Sequence, residues 1–166
     1  MIRTARKNKT QYVFLRAVFL CLLFMPLTAC KDKDTDSAVA LFPLSIVSKD
    51  GSETRASFKV ERAITMAEQE KGLMFREVMA QDHGMIFIYP KPAQLYFWMK
   101  NTYIPLDMIF INDKNEIIHI FKNAKPHDLT HISSGGISRA ALEINAGLSD
   151  KFNISVGDRI IFNDYP

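Results

Sequence analysis

The sequence predicts a mainly β domain with a minor α component, an antiparallel β-sandwich or barrel-like fold with one short helix packed on it. Two observations lead to this prediction. Short apolar-rich runs recur from residue 41 onward, and Gly, Pro, Asn and Asp separate them. Only one segment carries the start and stop signals of a helix. Many short strands with frequent turns are typical of sandwiches and barrels.

A β-hairpin is predicted at the start of the domain. Leu41–Ser48 is apolar-rich, and Asp50-Gly51 follows it. Beyond this dipeptide Ala56, Phe58 and Val60 alternate with polar residues. An Asp-Gly pair between two such runs favours a tight hairpin turn.

The one predicted helix begins after Thr65. Glu68 stands three residues later, which is the spacing of a capping box. The residues that follow are good helix formers as far as Lys71, and Gly72 is expected to end the helix because glycine is costly in a helix interior.

The remaining strands follow from apolar runs between turn residues. Pro90 and Pro92 are expected to stop the first of them. Pro126 and the Gly135-Gly136 pair predict that Asn123–Gly136 is a loop. The predicted strands are Met85–Tyr89, Gln94–Lys100, Leu106–Ile111, Glu116–Phe121, Ala141–Asn145 and Arg159–Asn163.

The first thirty residues predict export and a lipid anchor. A basic opening precedes an apolar run, Tyr12–Leu27, and the run ends in Leu27-Thr28-Ala29-Cys30. This is the pattern of a secretory signal peptide, and its last four residues look like the lipobox of bacterial lipoproteins. We therefore expect a signal peptide at 1–29, a lipidated Cys30 with a tether at 30–40, and one domain at 41–166.

The anchor predicts where the protein works. Two or more acyl chains on Cys30 would hold the protein stably on a membrane, where it would face the periplasm. Lys31 rather than aspartate follows the cysteine, a pattern that in enteric bacteria resembles outer-membrane cargo more than inner-membrane cargo.

Charge and cysteine content restrict the function further. The chain carries +3, but five basic residues and no acidic residue lie in the signal, so the mature chain carries −2. This balance disfavours nucleic-acid binding. Cys21 would leave with the signal, so a lipidated Cys30 leaves no disulfide and no thiol nucleophile in the folded part.

Asp107 is the first candidate site residue. It is the only polar residue of the apolar run Leu106–Ile111, so it must be paired, protonated or open to a cleft. It could fix a turn through a salt bridge, or it could belong to a polar pocket that binds a small polar ligand or a partner protein. The pocket candidates are Arg76, Trp98, Lys100, Asn101, Asp107 and Glu143.

Two further functions stay open. Asp107 and Glu143 could act as an acid–base pair in a hydrolase of envelope polymers. Methionines and histidines could bind copper, although methionine in apolar strands usually fills core space. The sequence assigns no catalytic residue, no metal ligand and no cofactor. The residues considered for copper are Met74, Met79, Met85, Met99, Met108, His83, His127 and His131.

Five ordered blocks resemble the bacterial and archaeal domain-of-unknown-function family 192. The resemblance covers about residues 55–163 and implies a compact, mainly β, often exported domain without an established activity. His127 and His131 are not part of the pattern. The blocks are Lys71–Arg76, Gly84–Ile88, Phe97–Ile111 without Tyr103, Leu142–Gly147 without Asn145, and Val156–Asp158.

Overall fold

The computed structural model describes residues 39–162. The predicted signal peptide, Cys30 and most of the tether lie outside the described residues. None of the described helices is long and apolar enough to cross a membrane. The elements are β1 (Phe42–Val47), β2 (Thr54–Ala63), α1 (Met66–Lys71), β3 (His83–Phe97), β4 (Leu106–Ile111), β5 (Ile117–Ala124), β6 (Ile132–Asn145), α2 (Leu148–Lys151) and β7 (Arg159–Phe162).

The predicted hairpin and helix are both confirmed. Strands β1 and β2 pair antiparallel around the turn that holds Asp50 and Gly51. Helix α1 starts from Thr65, whose side chain accepts the Glu68 N–H, while the Glu68 carboxylate accepts the Thr65 N–H. Gly72 caps the helix C-terminus.

All described strands form one seven-stranded sheet in the order β5-β4-β6-β3-β2-β1-β7. The sheet curls into a half-barrel, and a single bridge between Glu116 and Arg159 joins its two edges. The β-rich prediction is confirmed, whereas a sandwich of two packed sheets is not. The sheet is also mixed, because β2 and β3 run parallel. The α1 segment crosses between these two strands, as parallel neighbours require.

The extents of two strands differ from the prediction, and one short helix was not predicted. Strand β3 continues past Pro90 and Pro92, because a register shift between Ile88 and Ala93 takes both prolines out of regular pairing with β6. Strand β6 passes through Gly135-Gly136, where a loop was predicted. Helix α2 was not predicted, since four residues leave no periodic pattern.

Apolar side chains pack on both faces of the sheet. All seven strands contribute to the first core, which lies inside the curl and includes Ile109, Leu142 and Ile144. The second core covers the outer face around Met85 and Met108. Connections before and after β3 cover this second core with residues Leu73, Met99 and Ile104. The candidate site lies under that cover.

Candidate functional site

Glu143 is a buried carboxyl in the second core. It alternates with Leu142 and Ile144, whose side chains enter the first core. Its neighbours across the sheet are Met85 on β3 and Met108 on β4. The residue is 4% exposed, and no described residue forms a hydrogen bond or an ion pair with its carboxyl group. Buried carboxyls normally have such a partner.

A cavity of about 90 Å³ opens above Glu143. Helix α1 and the segment after it form one wall, and the second half of β3 forms the other. The wall from β3 is aromatic. The cavity is lined by Gln69, Glu70, Lys71, Gly72, Leu73, Met74, Phe87, Tyr89, Tyr96, Phe97, Trp98, Thr102 and Glu143.

Burial changes the titration of Glu143 and Tyr89, two of the groups that line this cavity. Loss of solvent raises the pKa of Glu143 from 4.5 to about 8. The pKa of Tyr89 rises to about 12, mainly through burial and secondly through the negative charge of Glu143. At neutral pH Glu143 is therefore mostly a protonated acid, which can donate one hydrogen bond and accept others.

Trp98 and Lys100 lie together at the mouth of this cavity. The Lys100 Nζ atom is 5.1 Å from the centre of the Trp98 ring, within the range of a cation–π contact. The centre of the His131 ring is 6.4 Å from that of Trp98 and 6.3 Å from that of Tyr96. Of the predicted candidates, Trp98 and Glu143 thus line one cavity, and Lys100 contacts it only through Trp98.

Asn101 precedes the cavity residue Thr102 but does not line the cavity itself. It has a structural role in the backbone around the cavity. Its φ of 52° places it in the left-handed region, which asparagine tolerates. Its carbonyl oxygen accepts the Phe75 N–H at 2.8 Å. Asn101 therefore ties the turn before β4 to the segment that follows α1.

Asp107 lies apart from the cavity. It is fully buried, and its two carboxylate oxygens accept the backbone N–H groups of Asn123 and Ser149, each at 2.9 Å. Ser149 is in the first turn of α2, where backbone N–H groups lack partners within the helix. Asp107 thus joins β4 to β5 and to α2, through backbone groups rather than through Lys100, Asn101 or Arg76.

The sheet separates Asp107 from Glu143. Asp107 shares its face with Ile109 and points toward the first core, whereas Glu143 and its neighbour Met108 are on the opposite face. A hydrolase needs both carboxyls beside one bond. The proposed acid–base pair is therefore wrong, because strand alternation places its two members on different sides of the sheet.

Arg76 belongs to a second, larger cavity of about 790 Å³ beside α1. Its Nη1 atom contacts the Glu61 Oε1 atom at 2.5 Å. The Glu61 side chain is 10% exposed, so this ion pair is partly desolvated and orients the Arg76 side chain. Lys71 and Met74 line both cavities, but Arg76 lines only the larger one.

The described residues contain no group of three or more His, Cys, Asp and Glu side chains that could hold a metal. His127 and His131 are not on a helix; their rings instead contact Tyr103 and Trp98, among other aromatic rings. Three of the candidate methionines are buried in the second core, which suits a packing role. They are Met85, Met99 and Met108.

Tyr89, Thr102 and Glu61 were not among the predicted site residues. Tyr89 stands before Pro90 at the end of an apolar run, where the sequence gives no signal of its contact with Glu143. Glu61 pairs with Arg76 across 15 positions of sequence, and only the crossover from β2 to β3 brings the two together.

Comparison with known proteins assigns the family. The pattern of domain-of-unknown-function family 192, described as an uncharacterised ACR, matches residues 46–162. The chain belongs to this family. The family 192 match contains β2 to β7 and the last two residues of β1, and it includes Glu143 and Trp98. No protein with a curated description matches the chain.

Two solved structures are similar to this family 192 chain. A protein of unknown function from Novosphingobium aromaticivorans DSM 12444 is 40% identical, with a TM-score of 0.69 over 73% of this chain and 84% of that chain. A protein from Sinorhizobium meliloti 1021, described as a candidate transcription regulator, is 38% identical, with a TM-score of 0.71 over 75% of this chain and 95% of that chain.

Proposed function

We propose that this protein is a lipid-anchored protein of the cell envelope whose domain binds a small polar ligand in the Glu143 cavity. The anchor is proposed from the signal pattern that ends at Cys30. In this proposal the acylated mature protein faces the periplasm, and the outer membrane is favoured over the inner one.

The unpartnered Glu143 carboxyl is the observation on which the ligand proposal depends. A methionine at this position would match Met85 and Met108 on either side and would remove the cost of burying a polar group. Instead, the chain keeps a carboxyl that faces a cavity in an apolar core and that no described residue pairs with. Buried polar groups of this kind are frequent at functional sites, where a ligand supplies the missing partner.

A DNA-binding role is less well supported. The regulator description belongs to the Sinorhizobium protein. The mature form proposed for this chain carries −2, and phosphate backbones are bound chiefly by basic surfaces.

Native mass spectrometry of the full-length protein, expressed with its own signal and extracted from the bacterial envelope, tests both parts. We expect a chain that begins at Cys30 with added acyl mass, together with a bound small molecule. Cys30→Ser should lose the acyl mass, and Glu143→Leu should keep it but lose the small molecule. A product that retains residues 1–29 would contradict the anchor. Equal retention of the small molecule by Glu143→Leu would contradict the site.

A further inference from the structure

The mouth of the Glu143 cavity is an exposed aromatic surface. Tyr96 is 60% exposed and Trp98 is 44% exposed, although both rings are large enough to favour burial. Both line the same cavity as Glu143. Aromatic rings in this position can stack either on an organic cation or on the C–H groups of a sugar ring.

The cavity volume shows how much of a ligand can enter. Drug-sized ligands occupy pockets of roughly 300–1,000 Å³, whereas this cavity holds about 90 Å³. Only a small substituent can reach Glu143. The rest of the ligand must lie outside, against Tyr96 and Trp98.

Nearby charges argue against a cationic ligand. Lys71 lines the cavity, and Lys100 lies against Trp98 at the mouth. Two basic side chains would repel an incoming amine. The acidic group on the same wall is Glu70, and Tyr89 faces Glu143 from β3. Because its pKa is about 8, Glu143 offers a neutral hydrogen-bonding group to the ligand at neutral pH.

We propose that the ligand is a neutral saccharide whose ring stacks on Trp98 and Tyr96 and whose hydroxyl or hydroxymethyl group enters the cavity and hydrogen-bonds to Glu143. This inference rests on the proposed function, because it names the ligand class of the same cavity. The sugar hydroxyl accepts a hydrogen bond from the O–H of the protonated Glu143 carboxyl and donates one to its carbonyl oxygen. The carboxyl that is unpartnered in the free protein is then paired.

The chain provides its own reporter for this site. Trp98 is its only tryptophan, so any change in tryptophan emission comes from the mouth of the cavity. The test uses the lipidated mature protein, expressed with its own signal and kept in micelles of a detergent without a sugar headgroup. It is titrated with tri-N-acetylglucosamine and with maltotriose, and separately with the diamine putrescine. Each titration is repeated from pH 6 to pH 9.

At least one of the two saccharides should give a saturable change in Trp98 emission. If only the neutral acid binds, the apparent dissociation constant should rise about ten-fold between pH 6 and pH 9, since the competent fraction falls through a pKa of about 8. Glu143→Gln, which keeps donor and acceptor atoms but does not titrate, should bind with no such pH dependence. Glu143→Leu should not bind.

Variants at the mouth test the stacking. Tyr96→Ala should weaken saccharide binding at least ten-fold. Tyr103→Ala is the matched control, because Tyr103 is 43% exposed but does not line this cavity, and it should bind as the parent does. Equal affinities for these two variants would overturn the stacking geometry.

The outcomes separate the two proposals. Putrescine binding that depends on Glu143 and strengthens up to pH 9, without saccharide binding, would overturn the saccharide inference and keep the polar-ligand function. The absence of any saturable response to all three probes would overturn the saccharide inference. If native mass spectrometry then also found no ligand dependent on Glu143, the polar-ligand function would fail as well.

Discussion

Glu143→Gln should stabilise the protein at neutral pH and lose this advantage in acid. The pKa of Glu143 is about 8 in the fold against an ordinary value of 4.5. Between these two values the unfolded chain has released a proton that the folded chain still holds. Stability therefore falls by about 1.4 kcal/mol for each pH unit in this interval. From pH 4.5 to pH 7 the loss is roughly 3 kcal/mol.

Glutamine does not titrate, so the variant escapes this loss. Urea denaturation, followed by Trp98 emission at pH 4.5, 6 and 7, measures the free energy of unfolding of the variant and of the parent. The difference between Glu143→Gln and the parent should grow by roughly 3 kcal/mol across the range, in favour of the variant. Glu77→Gln, at an exposed position, is the control and should show little pH dependence. A difference for Glu143→Gln that stays constant with pH would refute the reasoning, because it would show that the carboxyl is solvated or paired.

Two further substitutions test the framework around the site by urea denaturation. Asp107→Ala leaves the buried Ser149 N–H and the partly buried Asn123 N–H without an acceptor and should cost about 3 kcal/mol, whereas Asp113→Ala, at an exposed turn, should cost little. If Asp107→Ala unfolds at the same urea concentration as the parent, the Asp107 carboxylate does not stabilise the fold. Gly84→Ala would place a Cβ atom 2.6 Å from the Glu143 carbonyl oxygen and should cost about 2 kcal/mol. Gly136→Ala meets only the flexible end of a side chain at 3.3 Å and should cost less, so equal losses would contradict the close approach of β3 and β6.

Local signals in the sequence predicted the elements that depend on neighbouring residues. The Asp50-Gly51 turn and the Thr65 capping box are of this kind, since each forms from residues at most five positions apart. The parallel pairing of β2 and β3 was missed, because it depends on where the crossover returns to the sheet. The continuation of β3 through Pro90 was missed as well. At a bulge the strand does not need the backbone N–H that proline lacks.

The site was predicted only in part, because the sequence shows local patterns but not the long-range contacts that complete the site. Alternation along the strand placed Glu143 away from Leu142 and Ile144, which the structure confirms. The sequence alone does not show what packs against that face. Asp107 was expected to need a partner, and it has two, but both are backbone groups. Backbone donors leave no trace in residue identity, so a search among side chains could not find them.

The pairing of β1 with β7 has a consequence for how the domain is made. Four positions pair, from Leu44 with Phe162 to Val47 with Arg159, so the last of the described strands lies beside the first of them. Until β7 emerges from the ribosome, or crosses the membrane in an exported chain, β1 has one open edge that can recruit another nascent chain. Loss of the last eight residues would therefore make this edge permanent and direct the product toward aggregates rather than toward a shortened soluble domain.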